Sequence, residues 1–166
     1  MNGLLEQQFL TLTLDRERYA ISVGQVLEVL EDARVTRLPC SLPYMKGLID
    51  LRGKGIPVID LRLRFGMPGA APTKETAIVV VEHERDGGRL VVGLLADAVH
   101  EVIELAADHV GAAPDVGAGP AADFLQGIAR RDDGFILVLD IDRIFEGHDL
   151  PGQEPPMAGA DNRLVQ

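Results

Sequence analysis

The sequence predicts a mainly β protein in which one β unit is used twice. Three observations carry this. Phe9 to Leu14 reads FLTLTL, alternating apolar and hydroxyl residues with the period of two that a strand imposes. Short apolar runs at 77–81 and 89–95 are separated by Asp86-Gly87-Gly88, a strong hairpin turn. The chain also matches itself. Shifted by 80, residues 44–65 lie on 124–145 without gaps, with Gly47/Gly127, Ile56/Ile136, Val58/Val138, Asp60/Asp140 and Phe65/Phe145 identical.

The elements follow in order. After the first strand, Asp15-Arg16-Glu17-Arg18 reads as a charged turn into Tyr19-Ala20-Ile21. Ser22 is placed to cap a short turn over Val23 to Val26. Leu42 to Lys46 reads as a second turn, with Pro43 near its start. Ile56 to Leu61 is β-branched but contains Pro57, which predicts a strand start or a sheet edge. Residues 66–74 form a Pro/Gly loop, and 135–140 the last strand, entered through Asp132-Asp133-Gly134. Val26 to Glu31 matches Val99 to Glu104 at an offset of 73, so the second half carries an insertion. The Gly/Ala/Pro-rich stretch 111–122 lies in that interval. Two like β units give two small barrels or sheets packed face to face. The Pro-rich segment 146–166 is expected to stay outside the core as a flexible tail.

Repeat comparison separates structural from functional positions. Gly47 and Gly127 are expected at a special turn or a close approach. Asp60 and Asp140 follow strands, where a carboxylate can accept from loop amides. Arg52 lies opposite Asp132, and Asp50 opposite Arg130, so these differing positions are better functional candidates.

The chain has 166 residues and a formal charge of −10, with aromatic residues at only 4% and no Trp. Nucleic-acid binding and attachment to anionic membranes are disfavoured on charge. Cys40 is the sole cysteine, which excludes an internal disulfide and a multi-cysteine metal cage. The opening MNGLLEQQF has no basic n-region, so no signal peptide is expected, and no apolar run approaches the ~18 residues of a membrane span. A reducing cytoplasm is the simplest home. His83, His100, His109 and His148 show no metal-ligand spacing, and His83 reads as a surface histidine in a charged turn. Cys40, Ser22 and Ser41 sit in no nucleophile motif, and Gly53-Lys54-Gly55 is too short for a phosphate loop. No cofactor or metal is expected, and nothing points to an enzyme.

What remains is a surface. Val23, Val26 and Val29 place apolar groups beside Glu28, and Arg52 carries the opposite charge near a repeat-equivalent strand. An apolar patch with a charge pair suits partner binding. Core valines plus one surface ion pair, contributing ~0–1 kcal/mol, would read the same way.

Four blocks in order resemble the CheW-like family of chemotaxis coupling proteins: FLTLTLDRERYAISVGQVLEVLE, VTRLPCSLPYMKGLIDLRGKGIPVIDLRLRFG, RLVVGLLADAVHEVIEL and FLQGIARRDDGFILVLDIDRIF. The resemblance implies a single domain over residues 1–145, made of two interleaved five-stranded β-barrels around an apolar seam. It implies no catalysis, a place in the cytoplasm at receptor arrays, and two partners: the cytoplasmic tip of chemoreceptors and the regulatory domain of a CheA-type histidine kinase. The family's Asn-Leu-Arg-Gly motif falls on Asp50-Leu51-Arg52-Gly53, departing at its first position. Arg52 and its partner Glu28 are implied in receptor and kinase coupling, Val23, Val26 and Val29 in the receptor-facing region, and Gly47 and Gly53 near the kinase-facing side. Adaptors of this type also serve pilus-motility and biofilm clusters. A small-molecule sensor using the seam as its pocket is the rival from another class.

Overall fold

The computed structural model describes residues 6–39, 42–85, 87–112, 123–131 and 134–145. Cys40, Ser41, the 132–133 turn, most of the 111–122 stretch and the 146–166 tail lie outside them. The strands are β1 (Glu6–Leu14), β2 (Glu17–Ser22), β3 (Val26–Glu31), β4 (Met45–Leu51), β5 (Lys54–Asp60), β6 (Ala77–Arg85), β7 (Gly88–Ala96), β8 (Ala98–Ala106), β9 (Val110–Gly111), β10 (Leu125–Arg131) and β11 (Gly134–Leu139). Single-turn helices α1 (Leu61–Arg64) and α2 (Ile141–Ile144) follow β5 and β11, and a 3₁₀ turn spans Val23–Gln25.

The strands form two sheets. Sheet A runs β8-β1-β2-β11-β10-β9 and sheet B runs β3-β6-β7-β5-β4. The orders correspond strand for strand, apart from the two-residue β9 that adds a sixth strand to sheet A. The halves exchange elements: β3, β4 and β5 from the first half join the β6–β7 hairpin, while β8, β10 and β11 join the β1–β2 hairpin. Even irregularities repeat. The β4–β5 ladder shifts register between Met45 and Gly47, and the β10–β11 ladder between Leu125 and Gly127. Sheet B curls until its edges approach, since Thr36, just beyond β3, forms a bridge with Leu48 of β4.

Alternation along the strands divides the core into three. Ile78 and Val80 point into the curl of sheet B with Ile49, Ile56 and Val58. Phe9, Ala20, Ile136 and Val138 fill the curl of sheet A. The intervening residues, among them Leu10, Leu12, Ile21, Ile59, Val79, Val81 and Leu94, form the seam between the sheets. The apolar runs bury both faces of their strands, the pattern of fully covered sheets. Thr11 and Asp60 are the buried polar residues among those described, and the Thr11 hydroxyl donates to the Glu101 carbonyl at 2.7 Å.

Four expectations are corrected. Pro57 is in an interior strand: β5 lies between β7 and β4. It is tolerated because the parallel ladder to β7 begins only at Val58. The second turn ends at Tyr44, and Met45 and Lys46 already belong to β4. His83 is not in a turn, because β6 continues to Arg85. Its ring is nearly buried, bonds Asp142 at 2.7 Å and lies against Phe145. The turn at Val23–Gln25 is present, but the Ser22 hydroxyl makes no capping bond.

Asp60 and Asp140 hold the ends of the repeat. Asp60 Oδ1 accepts from the amides of Arg62 (2.9 Å) and Leu63 (3.4 Å), and Asp140 Oδ1 from that of Asp142 (3.0 Å). Each is therefore the N-cap of its short helix.

Candidate partner-binding site

The β4–β5 hairpin turns on two residues, Arg52 and Gly53, with φ of +52° and +85°. Positive φ at both central positions is the type I′ pattern that fits the twist of a hairpin. Glycine takes such a conformation without cost, whereas arginine gives up about 1 kcal/mol. Asp50 Oδ1 accepts the Gly53 amide at 2.9 Å and fixes the turn. An asparagine oxygen could do the same, so the departure at this motif position preserves the geometry and adds a charge.

The turn aims Arg52 across the mouth of sheet B at Glu28 on β3. The guanidinium Nη1 and Nη2 donate to Glu28 Oε2 and Oε1 at 3.0 and 3.2 Å. This two-point pair joins elements from opposite edges of the sheet. The Arg52 side chain is 75% exposed and that of Glu28 26%, so the pair contributes only ~0–1 kcal/mol. The ion pair and the turn strain nearly offset each other. Stability alone gives little reason for arginine here.

The valines separate into two kinds. Val26 lies opposite Val81 and Val29 opposite Val79, both residues of the seam, while Glu28 lies opposite Val80 on the other face. Val23 and Val26 are partly buried against the seam, and Val29 is exposed. The register shift between Val26 and Glu28 turns Leu27 outward, where it is 48% exposed. Leu27 was missed by the sequence reading, because a bulge leaves no mark in an apolar run. The edge strand β3 therefore carries an apolar strip beside the ion pair.

Gly47 and Gly53 have backbone duties. A Cβ on Gly47, with φ of +149°, would stand 2.0 Å from the Thr36 carbonyl oxygen. Around Gly53 there is open space, so only its φ of +85° requires glycine. Among the described residues no group of three or more His, Cys, Asp or Glu could hold a metal. His100 bonds the Thr13 hydroxyl across β1 and β8 at 2.6 Å. No helix among the described residues is long and apolar enough to cross a membrane.

Two interleaved sheets with a packed seam, an apolar edge and a strained, charged hairpin tip define a class of small β interaction domain. The CheW-like domain family matches residues 8–148, and the chain belongs to it. It is 30% identical over 144 residues to the Chemotaxis protein CheW of Klebsiella aerogenes, covering 87% of this chain and 84% of that one. The crystal structure of the scaffolding protein TtCheW from Thermoanaerobacter tengcongensis matches with a TM-score of 0.77 and 34% identity, over 92% of this chain and 99% of that one. Protein PilI of Pseudomonas aeruginosa is 32% identical over 81 residues, covering 49% of this chain and 43% of that protein.

Proposed function

We propose that this protein is a non-enzymatic adaptor that couples chemoreceptor tips to the regulatory domain of a CheA-type histidine kinase in bacterial chemotaxis. Family membership, the chemotaxis proteins among its relatives and the structural likeness to a scaffolding protein support this reading. The observation that carries it is the Glu28–Arg52 pair: an exposed arginine in a left-handed conformation at a hairpin tip, beside exposed Leu27 and Val29. In this reading Arg52 and Glu28 contact partners, Val23, Val26 and Val29 face the receptor, and Gly47 and Gly53 shape the kinase-facing turn. The protein is a monomer alone, lies in the cytoplasm and is recruited to receptor arrays.

The mechanism is a coupling free energy. A receptor conformation that packs better against the adaptor biases the kinase by that difference in binding energy, and by no more. Isothermal titration of the full chain against the kinase regulatory domain tests it. Saturable one-to-one binding, lost in Arg52→Asp while that variant stays folded, is expected; equal binding by the wild type and Arg52→Asp overturns the assignment of the site. The partial likeness to PilI supports a second reading, service in a pilus-motility cluster. Pull-down against both sets of receptors separates the two.

A further inference from the structure

The β4–β5 hairpin carries one charge that its own structure does not use. Asp50 is exposed, and among the described residues it forms no ion pair. Its one hydrogen bond there is through Oδ1, which accepts the Gly53 amide at 2.9 Å and holds the turn. That duty needs an oxygen and no charge. Arg52 does not need the charge either, since both Glu28 oxygens already accept from its guanidinium. Alternation parts the remaining groups. Ile49 and Ile56 point into the curl of sheet B, and Lys54 lies on that side with Leu51. Asp50 lies on the outer side, turned away from Lys54, and its Oδ2 has no protein donor among the described residues.

The place across from Asp50 is bare. Its cross-strand partner is Gly55. A Cβ on Gly55 would have only Leu48 Cδ1 within 4 Å, at 3.4 Å, so a gap bordered by Leu48 stands open beside the carboxylate. The other half fills the same place. Arg130 and Phe135, the repeat partners of Asp50 and Gly55, also lie opposite each other, and the Arg130 guanidinium sits 5.1 Å from the centre of the Phe135 ring. One hairpin flank is thus satisfied internally, and the other presents an acid beside a gap.

We infer that Asp50 is a specificity-determining residue: with the gap at Gly55 it receives a lysine or arginine side chain of the kinase regulatory domain, the stem over Gly55 and Leu48 and the charged head on Asp50 Oδ2. This rests on the coupling function proposed above. Such a side chain has an apolar stem and a cationic head, so it matches both parts of the site. An acidic partner residue would be repelled, and a bulky apolar one would desolvate the carboxylate without pairing it.

Isothermal titration of the full chain against that domain, at low and at high salt, tests this with three variants. Asp50→Asn keeps the acceptor for the Gly53 amide and removes the charge. Gly55→Phe fills the gap with the residue the other half uses, and no positive φ at Gly55 forbids it. Both should unfold in urea near the wild-type midpoint. Each should weaken binding about tenfold at low salt, the size of one hydrogen bond to a charged group. The deficit of Asp50→Asn should shrink at high salt, where screening has already weakened the wild-type contact. Arg52→Asp is the control for the site as a whole. If it loses binding while Asp50→Asn or Gly55→Phe binds like the wild type, the inference is overturned and the coupling function stands. A deficit of Asp50→Asn that is the same at both salt concentrations overturns it as well. Full binding by Arg52→Asp, or no binding by the wild-type chain, overturns the inference together with the reading beneath it.

Discussion

The two halves of the chain share one backbone and differ at their mouths. In sheet B, Glu28 meets Arg52 at the hairpin tip. The repeat partner of Glu28 is Glu101, and that of Arg52 is Asp132. With an acid at both positions the same pair cannot form, and Glu101 instead reaches Arg18 on β2 at 3.5 Å. Positions that keep the backbone in place are identical in both halves: Gly47/Gly127 at the register shift and Asp60/Asp140 at the caps. Shared residues therefore mark structural need, and the proposed contact pair Glu28–Arg52 lies where the halves diverge.

Arg64 shows how the halves are joined. Its guanidinium lies 4.8 Å from the centre of the Tyr44 ring and 4.6 Å from that of Phe124, which are repeat-equivalent residues. Its Nε donates to the carbonyl of Ile144, its own repeat partner, at 2.8 Å. Phe65 stacks on Phe124 at 5.0 Å and reaches Tyr19 at 5.9 Å. One arginine thus binds matching parts of both halves, a role that only one of two equivalent positions can fill.

The sharpest way to break the comparison is to add a methyl group to each shared glycine. Gly47→Ala meets the Thr36 oxygen at 2.0 Å with φ of +149°, so it should cost ~3 kcal/mol or more and leave little folded protein. Gly127→Ala meets the Gly111 oxygen at 2.5 Å, but only the two-residue β9 has to shift. It should cost ~1–2 kcal/mol. Urea unfolding measures both, and equal losses would show that the halves tolerate strain alike. Next in size, Arg64→Ala should cost ~1–3 kcal/mol, through two lost ring contacts and a freed carbonyl. Arg64→Met, which keeps much of the apolar stem, should recover part of this in the same unfolding assay. Smaller still, Asp60→Ala should cost ~1–2 kcal/mol and Asp140→Ala ~0.5–1 kcal/mol, since Asp60 caps two amides and Asp140 one. Thermal melts that reversed this order would show that the caps are not ranked by their bonds.

The repeat was legible where backbone geometry dictates side chains. Glycine at a close approach and aspartate at a cap have few substitutes, so the 80-residue offset showed through. The β1 and β6 strands are equally equivalent, with Leu10, Thr11 and Leu12 taking the places of Val79, Val80 and Val81 in the ladders. Not one of those pairs is identical, because burial demands only a suitable size and shape. His83 was misread because Glu82 and Glu84 flank it, yet alternation puts them on the other face of β6. The residues themselves raised Glu28 and Arg52 as opposite charges beside the valines, and the family resemblance made them direct partners. Spacing could not have found that contact, since the two residues lie at opposite edges of a sheet and meet only because the sheet curls.

The smallest expected effect on stability is the most informative about function. Arg52→Gly removes the ion pair, which contributes ~0–1 kcal/mol, and also the left-handed strain, which costs about as much. Thermal unfolding should therefore move by no more than ~1 kcal/mol in either direction. Binding to the kinase domain or receptor should nonetheless fall, because the guanidinium at the tip is gone while the type I′ turn is kept. Arg52→Lys separates charge from shape: it keeps the positive charge but cannot make the two-point contact with Glu28. If Arg52→Lys binds partners as weakly as Arg52→Gly, the planar fork is what the partner reads. If it binds like the wild type, charge alone suffices, and the mouth of sheet B differs from that of sheet A by its sign at one position.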